Sequence, residues 1–78
     1  MPRFYFHLRN DLSVDDEEGQ ELPDLASAEK VALANIRSIA SENVLQGRLD
    51  LSHRIEIADE AGDVIRTVTF GDAVEVED

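Results

Sequence analysis

The side chains with the most capacity for chemistry are the adjacent carboxylates Asp15, Asp16, Glu17 and Glu18 and the two histidines, His7 and His53. Clustered oxygens bind hard cations, but a calcium loop alternates its ligands so that they converge on one point. Consecutive carboxylates diverge and repel one another, so this run reads as a solvated loop closing on Gly19. The histidines are far apart, and neither has a neighbour at metal-ligand spacing. Ser52-His53 is the one local nucleophile–base combination, and adjacent side chains in a connector seldom face each other. No glycine-rich loop opens a helix and no phosphate-binding lysine follows one. The sequence offers no catalytic, metal or cofactor residue, and the protein is expected to be non-enzymatic.

Composition narrows the field further. At 78 residues the chain makes one domain, residues 1–78, near the lower size for folding unaided. It has no cysteine, so neither a disulfide nor a thiolate-bound metal can staple it. Stability must come from an apolar core, either its own or one shared across a homodimer. Eighteen acidic residues against seven basic ones give a formal charge of −11. Such a surface repels nucleic-acid phosphates and anionic lipid and favours a basic protein partner. No apolar run reaches spanning length and the first residues do not form a signal peptide, so a cytoplasmic location is expected.

One stretch has to organise any site: Leu22 to Gly47, which reads as a long amphipathic helix. Asp24 is the favoured N-cap, with Ser27 as the alternative, and Glu29 adds negative charge near the start. Gly47 suits the left-handed position just past the end. Leu25, Ala28, Ala32, Ile36, Ile39 and Ala40 form the apolar stripe, with Leu33 and Val44 at its edge. Val31 and Leu45 are apolar but off the stripe and are candidates for a partner surface. About 22 helical residues span roughly 33 Å, against ~20 Å for a six-residue strand. The helix therefore overhangs its sheet near Val44 and Leu45. Either the Leu49–Leu51 segment tucks under this end or another chain covers it.

Period-two patterning marks the strands. Phe4, Phe6 and Leu8 alternate with Arg3, Tyr5 and His7; Asn10-Asp11 turns the chain, and Leu12-Ser13-Val14 returns it. Gln20-Glu21-Leu22 leads extended into Pro23. Ile55 and Ile57 point inward from a strand over Arg54–Ala58, and Asp59–Asp63 forms a hairpin loop. Val64 to Phe70 is the last strand, with Val68 and Phe70 inward and Arg66 snorkelling at an edge. Gly71-Asp72 ends that strand and Ala73 to Asp78 either frays or forms a short terminal turn, so residues 71–78 are the span expected to fray. The predicted fold is α+β: a ββαββ chain with a mainly antiparallel sheet and one long helix across one face. The open face would show Tyr5, His7, Arg54, Glu56 and Thr67, with Tyr5 and His7 as candidate partner residues.

The opening Met1-Pro2-Arg3-Phe4-Tyr5-Phe6-His7, then Asp16-Glu17-Glu18-Gly19, Leu22-Pro23-Asp24-Leu25, Ala28, Ile55-Glu56-Ile57, Asp59-Glu60-Gly62 and Phe70 with Asp72-Ala73, resemble a family of small alphaproteobacterial proteins known as a domain of unknown function. That resemblance covers nearly the whole chain and implies no activity or site residue. Residues 3 to 40 are also similar in architecture to HicB-type antitoxin domains, without room for a DNA-binding segment. The reading that emerges is a protein–protein interaction module. The alternatives are a homodimeric structural domain and an antitoxin-like, nucleic-acid-associated regulator.

Overall fold

The computed structural model describes residues 1–10 and 12–75. In chain order the elements are β1 (Arg3–Arg9), β2 (Ser13–Val14), β3 (Gln20–Glu21), α1 (Leu25–Leu45), β4 (Arg54–Ala58), β5 (Val64–Thr69) and α2 (Phe70–Ala73). The sheet has five strands, antiparallel at every pairing, in the order β2-β1-β4-β5 with β3 also on β1. β1 carries β4 along one edge; on the other it carries β2 at its C-terminal end and β3 at its N-terminal end. The α+β architecture expected from patterning is thus present. The extended lead-in Gln20–Glu21 proves to be a strand, because its backbone pairs with Arg3 and Phe4.

Register puts the apolar alternation on one side. Phe6 lies opposite Ile57 and Leu8 opposite Ile55, and Val68 completes the row opposite Ile55. Phe4, Ile55, Ile57 and Val68 are buried, with Phe6 and Leu8 packed against them. Helix α1 covers this face. Its buried residues are Ala28, Ala32, Ile36 and Ala40, and Leu25, Leu33 and Ile39 flank them. Methyl side chains at three of these four positions let the helix backbone approach the sheet closely, and Ile36 fills the centre with no exposed surface.

Both helix ends follow the sequence. The Asp24 carboxylate accepts the Ser27 N–H at 2.8 Å. At the other end the Gly47 N–H donates to the Val44 carbonyl and the Arg48 N–H to the Asn43 carbonyl, each at 2.9 Å. This is a Schellman closure, which needs the left-handed φ of 83° that Gly47 adopts. Glu29 differs from expectation. It lies beyond the first turn, which holds no acidic residue, and instead meets Arg66 of β5 at 3.2 Å. Arg66 faces the helix side but sits at the open edge of β5, so its guanidinium stays exposed.

Of the two outcomes expected for the C-terminal segment, fraying or a short turn, the described residues take the turn. β5 stops at Thr69 because Thr69 and Asp72 form a reciprocal capping box, turning Phe70 into α2 rather than continuing the strand. Arg37 Nε donates to the Ala73 carbonyl at 2.8 Å and fastens this turn to α1. Residues 71–75 are therefore built into the fold; 76–78, like Asp11 of the expected Asn10-Asp11 turn, lie outside the described residues. The Leu49–Leu51 connector does not tuck under the helix end: Leu49 and Leu51 are 44% and 43% exposed.

Ile36 belongs to the core cluster and has no exposed surface. Ile36→Ala should lower unfolding free energy by about 2–5 kcal/mol in urea titrations. Ile36→Asp, which buries an unpaired charge, should not fold; an unchanged melting curve would refute this contact as the centre of the core.

Candidate functional site

Among the described residues, two regions of the surface bear on the predicted partner residues, and they lie on opposite layers. The first is the open face of the sheet. Tyr5, His7 and Arg9 project from β1, in register with Ala58, Glu56 and Arg54 of β4. The Arg9 guanidinium bridges two chain segments, with Nε 3.0 Å from Glu56 Oε1 and Nη2 2.9 Å from Asp15 Oδ1. Arg54 adds a second, longer contact to Glu56 at 3.4 Å. The face is thus charged yet internally paired at this end.

The acidic loop explains how Tyr5 and His7 are held. Residues 15–19 arch away from β1 between β2 and β3, which would leave the Phe6 N–H without a strand partner. The Asp16 carboxylate fills that gap: Oδ2 accepts from Phe6 at 3.1 Å, while Oδ1 accepts from Glu18 at 3.2 Å and Gly19 at 3.1 Å. The Asp16 N–H donates in turn to His7 Nδ1 at 3.1 Å. Desolvation by burial alone would raise the Asp16 pKa. The N–H donors of Gly19, Phe6 and Glu18, with a smaller contribution from His7, outweigh it and hold the carboxyl below the usual carboxylate range. The run predicted as a merely solvated loop therefore contains a half-buried structural carboxylate.

Gly19 permits the close approach. Its φ is +69°, and a Cβ there would stand 2.9 Å from the Arg3 side chain, the Phe4 carbonyl and the Tyr5 ring. Tyr5 is consequently wedged against the loop on one side. On the other it borders a cleft of about 220 Å³ lined by Tyr5, His7, Ala58, Asp59, Glu60 and Gly62. Sequence reasoning identified Tyr5 and His7 but missed Ala58 and Glu60. The only available signal was a small residue, Ala58, at an outward strand position.

The second region is the C-terminal end of α1. Val44 and Leu45 are 56% and 85% exposed. With Arg37, Ala40, Ser41, Leu49, Val74 and Glu75 they line an apolar groove of about 540 Å³. Leu45 joins this groove, whereas Val31, its companion in the sequence reading, is half-buried away from it. Neither meets Tyr5 or His7, so the four predicted partner residues do not form one surface.

The remaining candidates resolve into structure. The Ser52 hydroxyl donates to Asp50 Oδ1 at 2.6 Å rather than engaging His53, and this bond leads the interactions that lower the Asp50 pKa. His53 is buried, edge-on to Phe70 with ring centres 5.4 Å apart. Among the described residues, no group of three or more His, Cys, Asp or Glu is placed to hold a metal ion. Among the same residues, no helix is long and apolar enough to cross a membrane.

These features define a class: a small two-layer α+β domain with one sheet face sealed by a helix and the other open. The chain belongs to the DUF6894 family, a domain of unknown function, whose family model matches residues 3–71. No curated protein and no solved structure matches it.

Gly19→Ala should destabilise by more than about 1 kcal/mol and perturb the Tyr5 environment. Gly47→Ala, also at positive φ but with nothing within 4 Å of the added methyl, should cost less. Equal losses in urea titrations would show that the crowding at Gly19 is immaterial. The depressed Asp16 pKa also fixes a sign. Its contribution is complete above the ordinary Asp range and is lost as pH falls through that range to the lower folded value. Thermal melts across acid pH should therefore show a smaller decline for Asp16→Asn than for the parent chain, from a lower starting stability at neutral pH.

Proposed function

We propose that this chain is a non-enzymatic, cytoplasmic protein-interaction module whose main contact surface is the C-terminal end of α1. The observation that carries this reading is the concentration of Val44, Leu45 and Leu49, all substantially exposed, around one apolar groove on a chain of net charge −11. Isolated exposed aliphatics are ordinary, whereas contiguous ones beside a groove mark contact sites. The length of α1 relative to the strands is what leaves them uncovered.

Charge selects the occupant. A second copy would bring another −11 toward the first, a repulsion that only salt screening relieves. A basic partner presenting an apolar anchor gains from the same field, in both encounter rate and discrimination. A basic toxin or DNA-binding regulator has the chemistry to fit.

Leu45→Asp tests this with little risk to the fold, since surface changes usually alter stability by less than about 0.5 kcal/mol. Affinity capture from the source organism should retain a basic protein on the parent chain and lose it on the Leu45→Asp variant, with melting temperature unchanged. Light scattering should give a monomer at every concentration. A concentration-dependent dimer abolished by Leu45→Asp would overturn the reading in favour of self-association.

A further inference from the structure

The cleft on the open sheet face is distinct from the helix end and has a different character. Its floor is Ala58, which register places opposite Tyr5 and which a bulge between Ile57 and Ala58 sets at the start of the β4–β5 hairpin. One wall is the half-buried Tyr5 ring, fixed from behind by Gly19. The other walls are His7 and the hairpin residues Asp59, Glu60 and Gly62. The ring thus lies between the acidic loop that ends at Gly19 and the β4–β5 hairpin, which brings Asp59 and Glu60 to the cleft.

The basic residues near this cleft are already engaged. The Arg3 guanidinium donates to the Glu18 carbonyl at 2.8 Å and meets Glu21 at 3.3 Å. Arg9 is held between Asp15 and Glu56. The Glu60 carboxylate is held in place by the Arg3 backbone N–H, which donates to Oε1 at 3.0 Å. The cleft thus combines an aromatic wall, an apolar floor and a positioned carboxylate within a negative local field. A hard metal ion would need several converging oxygens, and no such group exists among the described residues. A planar, weakly hydrated organic cation needs what is present: a π surface and a carboxylate beside it.

We propose that this cleft binds an arginine side chain of a partner protein, the guanidinium lying against Tyr5 and paired with the carboxylate of Glu60. Lysine fits less well, because a compact, strongly hydrated ammonium gains little from the ring and loses more water. His7, whose Nδ1 accepts from the Asp16 N–H, forms a further wall of the cleft. This surface lies on the layer opposite α1, so a partner can occupy it whether or not the helix end is engaged.

Tyr5 supplies its own probe, since the chain has one tyrosine and no tryptophan. Titration with the capped peptide Ac-Gly-Arg-Arg-Gly-amide should change tyrosine emission saturably. The matched lysine peptide should require a higher concentration for the same change. Glu60→Gln keeps an oxygen to accept the Arg3 N–H but removes the charge, and should weaken the arginine peptide roughly two- to five-fold. Glu42→Gln, an equal loss of charge on α1, should leave the midpoint unchanged. The proposal fails if emission does not respond, if it rises or falls without saturation, or if lysine equals arginine. Equal weakening by Glu60→Gln and Glu42→Gln would likewise overturn it, since binding would then follow net charge alone.

Discussion

One contact governs this molecule: a helix lined with alanine pressed against a sheet narrow enough for a single helix to seal. With Ala28, Ala32 and Ala40 at the interface, the separation between layers is set by methyl groups, and Ile36 takes the remaining volume. A core of this kind leaves almost nothing to spare. Phe4, Ile55, Ile57, Val68 and Phe70 are all committed to it, so the opposite sheet face must be polar and the helix overhang must remain bare. Both surfaces considered for function are by-products of that economy. The open face exists because α1 covers only one side of the sheet, and the apolar groove exists because α1 is longer than the strands beneath it.

Within the acidic loop, Asp16 shows how a carboxylate can serve structure through backbone donors rather than through a basic side chain. Asp16 takes the place of a strand: its carboxylate satisfies the Phe6 N–H where β2 and β3 leave a gap, and gathers the Glu18 and Gly19 N–H groups around it. Backbone donors stabilise the ionised form, which is why the carboxyl titrates below its usual range despite partial burial. The neighbours Glu17 and Glu18 remain exposed, so their carboxylates add to the negative field. Gly19 then admits the Tyr5 ring against the loop. A chain of local necessities thus ends with an aromatic ring standing between two acidic turns.

Charge is distributed unevenly in its consequences. Arg3, Arg9, Arg54 and Arg66 are each drawn into contacts with carboxylates of the same chain, so the basic residues do little to offset the exterior. Exposed pairs of this sort add little stability, but they orient side chains and leave the excess acid facing outward. The domain therefore presents a negative field with two interruptions, one apolar and one aromatic. Such a surface discriminates by charge first and by anchor second.

Much of the architecture was legible in the chain because it rests on short-range rules. Alternation identified β1 and β4; a helical stripe identified the covered face of α1; Asp24 and Gly47 marked its ends through backbone needs that involve only a few neighbouring residues. The inward choice of Val68 and Phe70, with Arg66 at an edge, also followed from side-chain character. What escaped was everything that depends on residues distant in sequence. Gln20–Glu21 carries no strand propensity and becomes a strand only because β1 offers it an edge. Asp16 looks like its neighbours until the Phe6 N–H is placed beside it. Ala58 and Glu60 acquire meaning only when the hairpin stands next to Tyr5. Sequence alone determined which residues avoid water and where the backbone must turn, since those preferences are local. Tertiary structure decided which polar groups meet and which apolar groups are left without cover, because both depend on the register of strands and the reach of one helix.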